Sequence, residues 1–343
     1  MFKKIQNRPI RILLNTIVIL AALPVTYWLF IYLLTPRYQF LESKPFYGKY
    51  LYNPYQNMDS SHWKAYNFQC QNMRIDKKNS KQEGYIPVYE HGYRFFRKTR
   101  QLCIGAENVQ WMDFPFGQSL DMKQHTLNIL QQHGRFAVPA SYQSGYKISN
   151  MHYLGGYRLL EVGSAHSTSF EHWDAALSTG HRVYGIGNGS FFTMINTEGV
   201  VADSVYTALD RGCAYTVEGT SDEPCLLTRC ELVGDTLSVE TSAPLIQKAE
   251  FIGQEGKVLK QMDQCQQAWY VIQPSDTYVR VKLTIDETTC LYLNPITRHS
   301  TAEPVDPPTA EINWPLTIIF YVVYVLTIIL CIRRVARKKS SSS

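Results

Sequence analysis

The sequence predicts an α/β domain followed by an all-β sandwich, with transmembrane helices flanking the two. Three observations carry this. Two uncharged apolar runs lie near the ends of the chain, each bordered by lysines and arginines. Between about residues 67 and 200, strand-like and helix-like segments alternate, the pattern of parallel pairing in a β/α barrel or layered sheet. Beyond about residue 200, after one more short helix, strand-length runs separated by turn signals take over, the pattern of a small sandwich.

The first apolar run, Ile12 to Leu34, holds 23 residues without a charge. As a helix it rises about 35 Å, enough to cross a bilayer. Asn15 sits near one end and Pro24 in the middle, where a kink is tolerated. The run is long for a signal-peptide core and lacks a small-x-small cleavage site, so it reads as an uncleaved anchor. Trp314 to Ile332 is a second run, near the minimum spanning length. Lys3, Lys4, Arg8 and Arg11 precede the first run, and Arg333, Arg334, Arg337, Lys338 and Lys339 follow the second. Both termini are therefore expected in the cytoplasm, with residues 36–311 on the far side. These nine basic residues exceed the whole-chain net charge of +5, so the remainder is acidic and the pI near 8.6 belongs to the tails. That balance argues against nucleic acid and for tail contact with anionic lipid headgroups, making the lipid bilayer an expected partner.

Seven cysteines (Cys70, Cys103, Cys213, Cys225, Cys230, Cys265 and Cys290) lie in the outside part, and Cys331 lies in the second run. An odd number without a C-x-x-C pair indicates neither a zinc knuckle nor a full disulfide framework, though Cys225 and Cys230 are close enough to bridge. With one sequon, at Asn188, this favours a bacterial inner membrane and a periplasmic body over a secretory pathway.

In order, residues 36–66 are rich in Tyr, Phe and Trp, which suits the headgroup layer; a stacking platform for a sugar or nucleobase is the alternative. Gly84 to Glu90 reads as a strand. Asp121 to Gln132 reads as a helix with Leu127, Ile129 and Leu130 on its apolar side, stopped by Gly134. Arg135 to Ala140 and Tyr157 to Val162 are strands, Phe170 to Thr179 is a helix ended by Gly180, and Val183 to Ile186 is a strand. Ser204 to Asp210 is a last short helix. Leu226 to Val233, Thr236 to Thr241, Lys248 to Ile252, Ala268 to Ile272 and Tyr278 to Ile285 form the β module, and Ala302 to Glu311 is a proline-rich spacer. The expected partition is 1–35 tail and first span, 36–66 juxtamembrane segment, 67–212 α/β domain, 213–301 sandwich, 302–313 linker, and 314–343 second span and tail.

Several segments occur in a telling order: Trp63-Lys64-Ala65-Tyr66-Asn67-Phe68, Ile86 to Gly92 (IPVYEHG), Leu160-Glu161-Val162, Trp173 to Leu177 (WDAAL), Tyr278 to Val281 (YVRV) and Tyr292 to Pro295 (YLNP). In this order and spacing, residues 60–300 resemble the polymerase-and-histidinol-phosphatase (PHP) metallohydrolases, with the β module that follows in membrane-linked relatives. The resemblance implies a shortened, distorted β/α barrel, which in active members holds up to three metal ions for phosphoester hydrolysis. The family's first motif, His-x-His with a later Asp, falls on Gln69, Gln71 and Asp76. Its bridging carboxylate falls on Glu90, and its His-Pro position on Pro139-Ala140. Its final Asp-x-His falls on Gly189-Ser190-Phe191, and Glu161 lies on the strand between.

A Gln carbonyl is a poor substitute for imidazole at a transition metal. Asp76 and Glu90 alone cannot hold a cluster or reliably activate water. The resemblance therefore implies an inactive relative without a cofactor, a binding or scaffolding subunit for a membrane or periplasmic protein. The alternative is a phosphoesterase with a reduced metal site on Asp76, Glu90, Glu161 and His166. There a single divalent cation would sit on Asp76 and Glu90, and Asp76 with His166 would serve as acid and base. His91, His152, His172 and His181 are scattered, and Gly185 to Gly189 is only a weak phosphate-loop signal.

Overall fold

A computed structural model of the chain describes residues 8–41, 44–68, 70, 73–75, 85–92, 99–140, 145–165, 167–219, 224–306 and 310–340. Helix α1 (Arg8–Leu34) runs unbroken through Pro24. Three short strands follow, β1 (Tyr38–Gln39), β2 (Tyr50–Tyr52) and β3 (Trp63–Tyr66). Next come β4 (Val88–His91), β5 (Arg100–Ile104), α2 (Leu120–His133), β6 (Phe136–Ala140), β7 (Leu159–Gly163), α3 (Phe170–Ser178), β8 (Tyr184–Gly187), β9 (Phe191–Asn196), α4 (Ala202–Arg211) and β10 (Ala214–Glu218). The remaining strands are β11 (Leu227–Val233), β12 (Thr236–Thr241), β13 (Ile246–Ile252), β14 (Val258–Cys265), β15 (Gln267–Val271), β16 (Tyr278–Thr284), β17 (Cys290–Leu293), β18 (Ile296–His299) and β19 (Glu311–Ile312). Helix α5 (Trp314–Ser340) closes the chain.

Side-chain alternation explains the layers. The largest sheet runs β14-β13-β16-β17-β10-β9-β3, with β18 joined to β16 and β2 to β18. On one face Phe192, Met194, Tyr215, Val217, Val281, Leu283, Leu291 and Leu293 point into a core shared with the sheet β11-β12-β15, which contributes Cys230, Leu237, Val239, Ala268 and Tyr270. This is a two-sheet sandwich. The intervening residues Phe191, Ile195, Ala214, Tyr278 and Tyr292 face the α/β elements instead. The boundary expected at 212/213 thus falls within one sheet: β10, just after it, pairs with β9, just before it. A period-2 strand with both faces buried builds two cores at once, which segment boundaries do not reveal.

The α/β part is mixed. Strands β7 and β8 pair in parallel around α3, as the strand–helix–strand pattern predicts. The sheet β4-β5-β6, however, is antiparallel, although α2 lies between β5 and β6; β9 and β10, joined through α4, are antiparallel as well. Alternation in sequence does not distinguish a parallel crossover from an antiparallel return through a helix. No barrel closes among the described residues. Helix α2 starts where the Ser119 side chain accepts from the Met122 N–H and stops where the Gly134 N–H donates to the Leu130 carbonyl, 2.9 Å. At the end of α3, Gly180 has φ +79° and a Cβ there would stand 2.1 Å from the Lys44 carbonyl oxygen, so only glycine fits.

Two buried polar knots join the α/β layer to the large sheet. Arg280 on β16 donates from Nε and Nη2 to Asp174 on α3 at 2.7 and 2.6 Å, and the Tyr278 hydroxyl donates to the same carboxylate at 3.1 Å. Asn294 accepts from the Gly185 N–H at 2.7 Å and donates to the carbonyls of Gly212 (3.1 Å) and Ala214 (2.8 Å). Its own N–H donates to the Tyr55 hydroxyl at 2.7 Å.

The juxtamembrane aromatics divide. Tyr38, Phe46, Tyr55 and Trp63 are buried in the body, whereas Tyr47 and Tyr50 are exposed. Among the described residues no disulfide forms: Cys230 points into the sandwich core, where alternation along β11 places it, while Cys225 precedes the strand. The proline-rich segment is tied to the body through Asp306, which pairs with Arg158 and Arg182. Burial alone would raise the Asp306 pKa, but the two guanidiniums outweigh it and hold the carboxyl below its usual range.

His181, between α3 and β8, is buried, and that burial pushes its pKa down to about 4, while contact with the Met151 main chain acts in the opposite direction. The unfolded chain therefore binds a proton near pH 6.5 that the folded chain refuses until about pH 4. Stability contributed by the neutral ring is present above the unfolded pKa and is lost as pH falls through this window, at up to about 1.4 kcal/mol per pH unit. His181→Gln is expected to flatten that slope in denaturant titrations between the two values; an unchanged slope would show that another group sets it.

Candidate functional site

The candidate site is the region beyond the carboxyl ends of β7 and β8, the place where open α/β units hold their ligands. Register fixes which expected residues can face it. Glu90 pairs with Leu102, and Leu102 with Val138, so Glu90 shares the face of Val88, Ile104 and Phe136. Glu161 alternates with Leu160 and Val162 and therefore shares the face of Leu159, which joins that same core. Glu90 and Glu161 thus sit on strand faces that border the same core, on two separate sheets. Pro139 pairs with Gln101 and shares the opposite face with Tyr89, Cys103 and Ala137. It sits on β6, at an edge of its sheet, where a missing N–H is tolerated. Phe191 packs beside Tyr292, with ring centroids 6.3 Å apart, in the helix-side core. Gln69, Gln71, Asp76 and His166 lie outside the described residues.

Both placed carboxylates are engaged. Glu90, buried, receives a hydrogen bond from Arg100 Nη2 across the β4–β5 pair. The Asn188 amide donates to Glu161 Oε1 at 3.1 Å. The Asn188 side-chain oxygen accepts from the Gly189 N–H at 3.0 Å, so the sequon amide is built into the loop. Asn67 then holds Gly189 from both sides, accepting from its N–H at 3.2 Å and donating to its carbonyl at 3.0 Å. Gly189 has φ +69°, and a Cβ there would come within 2.8 Å of Ala165. This position therefore takes glycine for steric and conformational reasons. Among the described residues no group of three or more His, Cys, Asp or Glu side chains could hold a metal ion.

A buried lysine, Lys123, stands on the other side of the β4-β5-β6 sheet from Glu90. It stands with Leu127 and Leu130 at helical spacing on the buried side of α2, a lysine in an apolar stripe. Its Nζ donates to the Gly145 carbonyl (2.6 Å) and Asn150 Oδ1 (2.7 Å), and burial pushes its pKa down to about 8. Nearby, the Tyr146 hydroxyl accepts from Gln101 at 2.8 Å, and the His172 ring contacts the Tyr146 carbonyl at 3.1 Å. These bonds fix residues 145–150. Two open polar grooves also flank α4, of about 660 and 670 Å³, both lined by Asp203 and Thr207. Loops far apart in sequence form them, so no local motif announces them.

No protein-family model, no curated protein and no solved structure matches the chain.

Proposed function

We propose that this chain is a two-span membrane protein whose outside body is a PHP-like relative without metal-dependent hydrolysis, serving as a binding or scaffolding subunit for a membrane or periplasmic partner. The observation that carries this reading is the state of the two placed carboxylates. Glu90 is neutralised by Arg100 and Glu161 is held by Asn188, so each already has a protein partner where a hydrolase would offer it to a cation. Gly189, Phe191 and Pro139 supply no side-chain donor. The surface grooves beside α4 and the sandwich remain as places for a partner.

Helix α1 is long and apolar enough to cross a membrane. The second span is the shorter apolar part of α5, Trp314–Leu330. Its pairing with α1 is supported by contacts at their body-proximal ends: β1 pairs with β19, and the Tyr321 hydroxyl donates to the Leu34 carbonyl at 2.7 Å. With the basic flanks on the other side, both termini are cytoplasmic and the body is periplasmic.

The test is metal analysis and phosphoesterase assay of the detergent-purified full chain, with affinity capture from native membranes. The expected result is substoichiometric Mn, Fe and Zn, no phosphoesterase turnover, and one defined partner that surface changes in the sandwich remove. Stoichiometric metal, with turnover abolished by Glu90→Gln, would overturn the proposal in favour of the reduced-site phosphoesterase.

A further inference from the structure

Arg158 and Arg182 stand at the amino ends of the parallel strands, Arg158 just before β7 and Arg182 two residues before β8. Both guanidiniums converge on Asp306, in the proline-rich segment. Asp306 Oδ1 accepts from Arg158 Nη1 (2.7 Å), Arg182 Nε (3.0 Å) and Arg182 Nη2 (2.7 Å), while Oδ2 accepts from Arg158 Nη2. Three donors thus crowd one oxygen with two lone pairs, and the other oxygen takes one. Four N–H donors in two planar forks suit a group with more acceptor oxygens than a carboxylate.

Burial is uneven in the same sense. The two arginine side chains are 16% and 11% exposed, whereas the Asp306 side chain is 51% exposed. Arg158 is further fixed by Asp210, 3.4 Å from its Nε, and by the Arg182 carbonyl, 3.4 Å from its Nη1. The cationic half is therefore built into the body, and the anion reaches it from a segment with little else to hold it. Among the described residues, Asp306 alone of 301–306 makes a hydrogen bond or ion pair with the body.

A carboxylate on the same chain acts at a local concentration of about millimolar, so a free monocarboxylate would compete poorly with it. A phosphomonoester brings about 1.5 to 2 negative charges and three acceptor oxygens, enough to take the four donors without crowding. We infer that Arg158 and Arg182 form a binding site for a phosphomonoester group, which Asp306 occupies in cis and vacates when that group arrives. The site goes beyond the binding role proposed above. It lies at the ends of β7 and β8 opposite the candidate site, and its test involves neither Glu90 nor Glu161.

The test is equilibrium dialysis of the detergent-purified full chain against radiolabelled inorganic phosphate, with chloride holding the ionic strength constant. Asp306→Asn removes the competing charge and is expected to bind phosphate at one site about ten-fold more tightly than the parent. Adding Arg182→Gln to Asp306→Asn is expected to abolish that binding. A second arm measures retention of phosphatidic acid, whose headgroup is a phosphomonoester, in mixed micelles. Retention by Asp306→Asn but not by the double variant makes a lipid the source; a response to free phosphate alone makes it a soluble ligand. If Asp306→Asn does not fold, the parent decides: it is expected to bind phosphate weakly at one site that Arg182→Gln removes, and equal binding by the two would overturn the inference. So would an Asp306→Asn chain that binds neither phosphate source more tightly than the parent, or a double variant that binds as well as Asp306→Asn.

Discussion

Asp174→Ala is expected to destabilise the body by about 3–5 kcal/mol, the cost of leaving a buried guanidinium without its carboxylate. Arg280 lies under the large sheet with only 4% of its surface exposed, and its cation also stands 5.3 Å from the centre of the Trp173 ring. Removing Asp174 deprives it of both bidentate bonds and leaves the Tyr278 hydroxyl without its acceptor. The site cannot readily relax, because the Gln254–Gly256 turn covers it: the Gln254 amide donates to the Ser178 carbonyl at 2.9 Å and the Glu255 N–H donates to the Ser178 hydroxyl at 2.8 Å. The paired replacement Asp174→Leu with Arg280→Met removes both charges and is expected to recover most of the loss, since buried ion pairs contribute little net stability over an apolar fit. Thermal unfolding of the detergent-solubilised chain measures both. A single variant as stable as the parent, or a double variant no better than the single, would contradict this account.

Asn294→Ala is expected to cost about 1–3 kcal/mol, because it strands the buried Gly185 N–H as well as removing bonds. The Gly185 N–H loses its acceptor, while the Gly212 carbonyl keeps the Ala214 N–H at 2.7 Å and the Ala214 carbonyl keeps the Tyr55 hydroxyl at 2.8 Å. The three groups belong to β8, the turn after α4, and β10, so the damage should spread to the parallel pair that supports the candidate site. Hydrogen exchange offers the readout: amides of β8 and β9 should lose protection before those of the β11-β12-β15 sheet. Asn294→Asp keeps the acceptor for Gly185 but turns a buried carboxylate oxygen toward the Gly212 and Ala214 carbonyls, and is expected to be at least as destabilising as the alanine. Uniform loss across all sheets would indicate ordinary global destabilisation instead of a local tie.

Much of the local structure was legible. The helices at residues 120–133, 170–178 and 202–211 sit within two or three residues of the segments read from periodicity and glycine stops, and the strand at Thr236–Thr241 matches its predicted bounds. Strands β5, β9, β10, β14, β17 and β18 were not read. In β9, the Phe191-Phe192-Thr193-Met194-Ile195 run buries both faces and shows no alternation, so it lacks the half-polar signature on which strand reading depends. At the candidate site, the identities of Glu90, Glu161 and Gly189 were readable, but their partners were not. Arg100 pairs with Glu90 from ten residues away, and Asn67 clamps Gly189 from 122 residues away.

The sequence alone determined the apolar runs, their basic flanks and the order of most elements, because each is a property of residue type and short-range spacing. Tertiary structure decided which residues meet. It made one sheet serve two cores across the boundary expected at residue 212, returned β6 and β10 antiparallel to their neighbours, and turned Pro139 away from Glu90 and Glu161. Those outcomes follow from register and chain reversal, and a one-residue change in either flips a side chain to the opposite face.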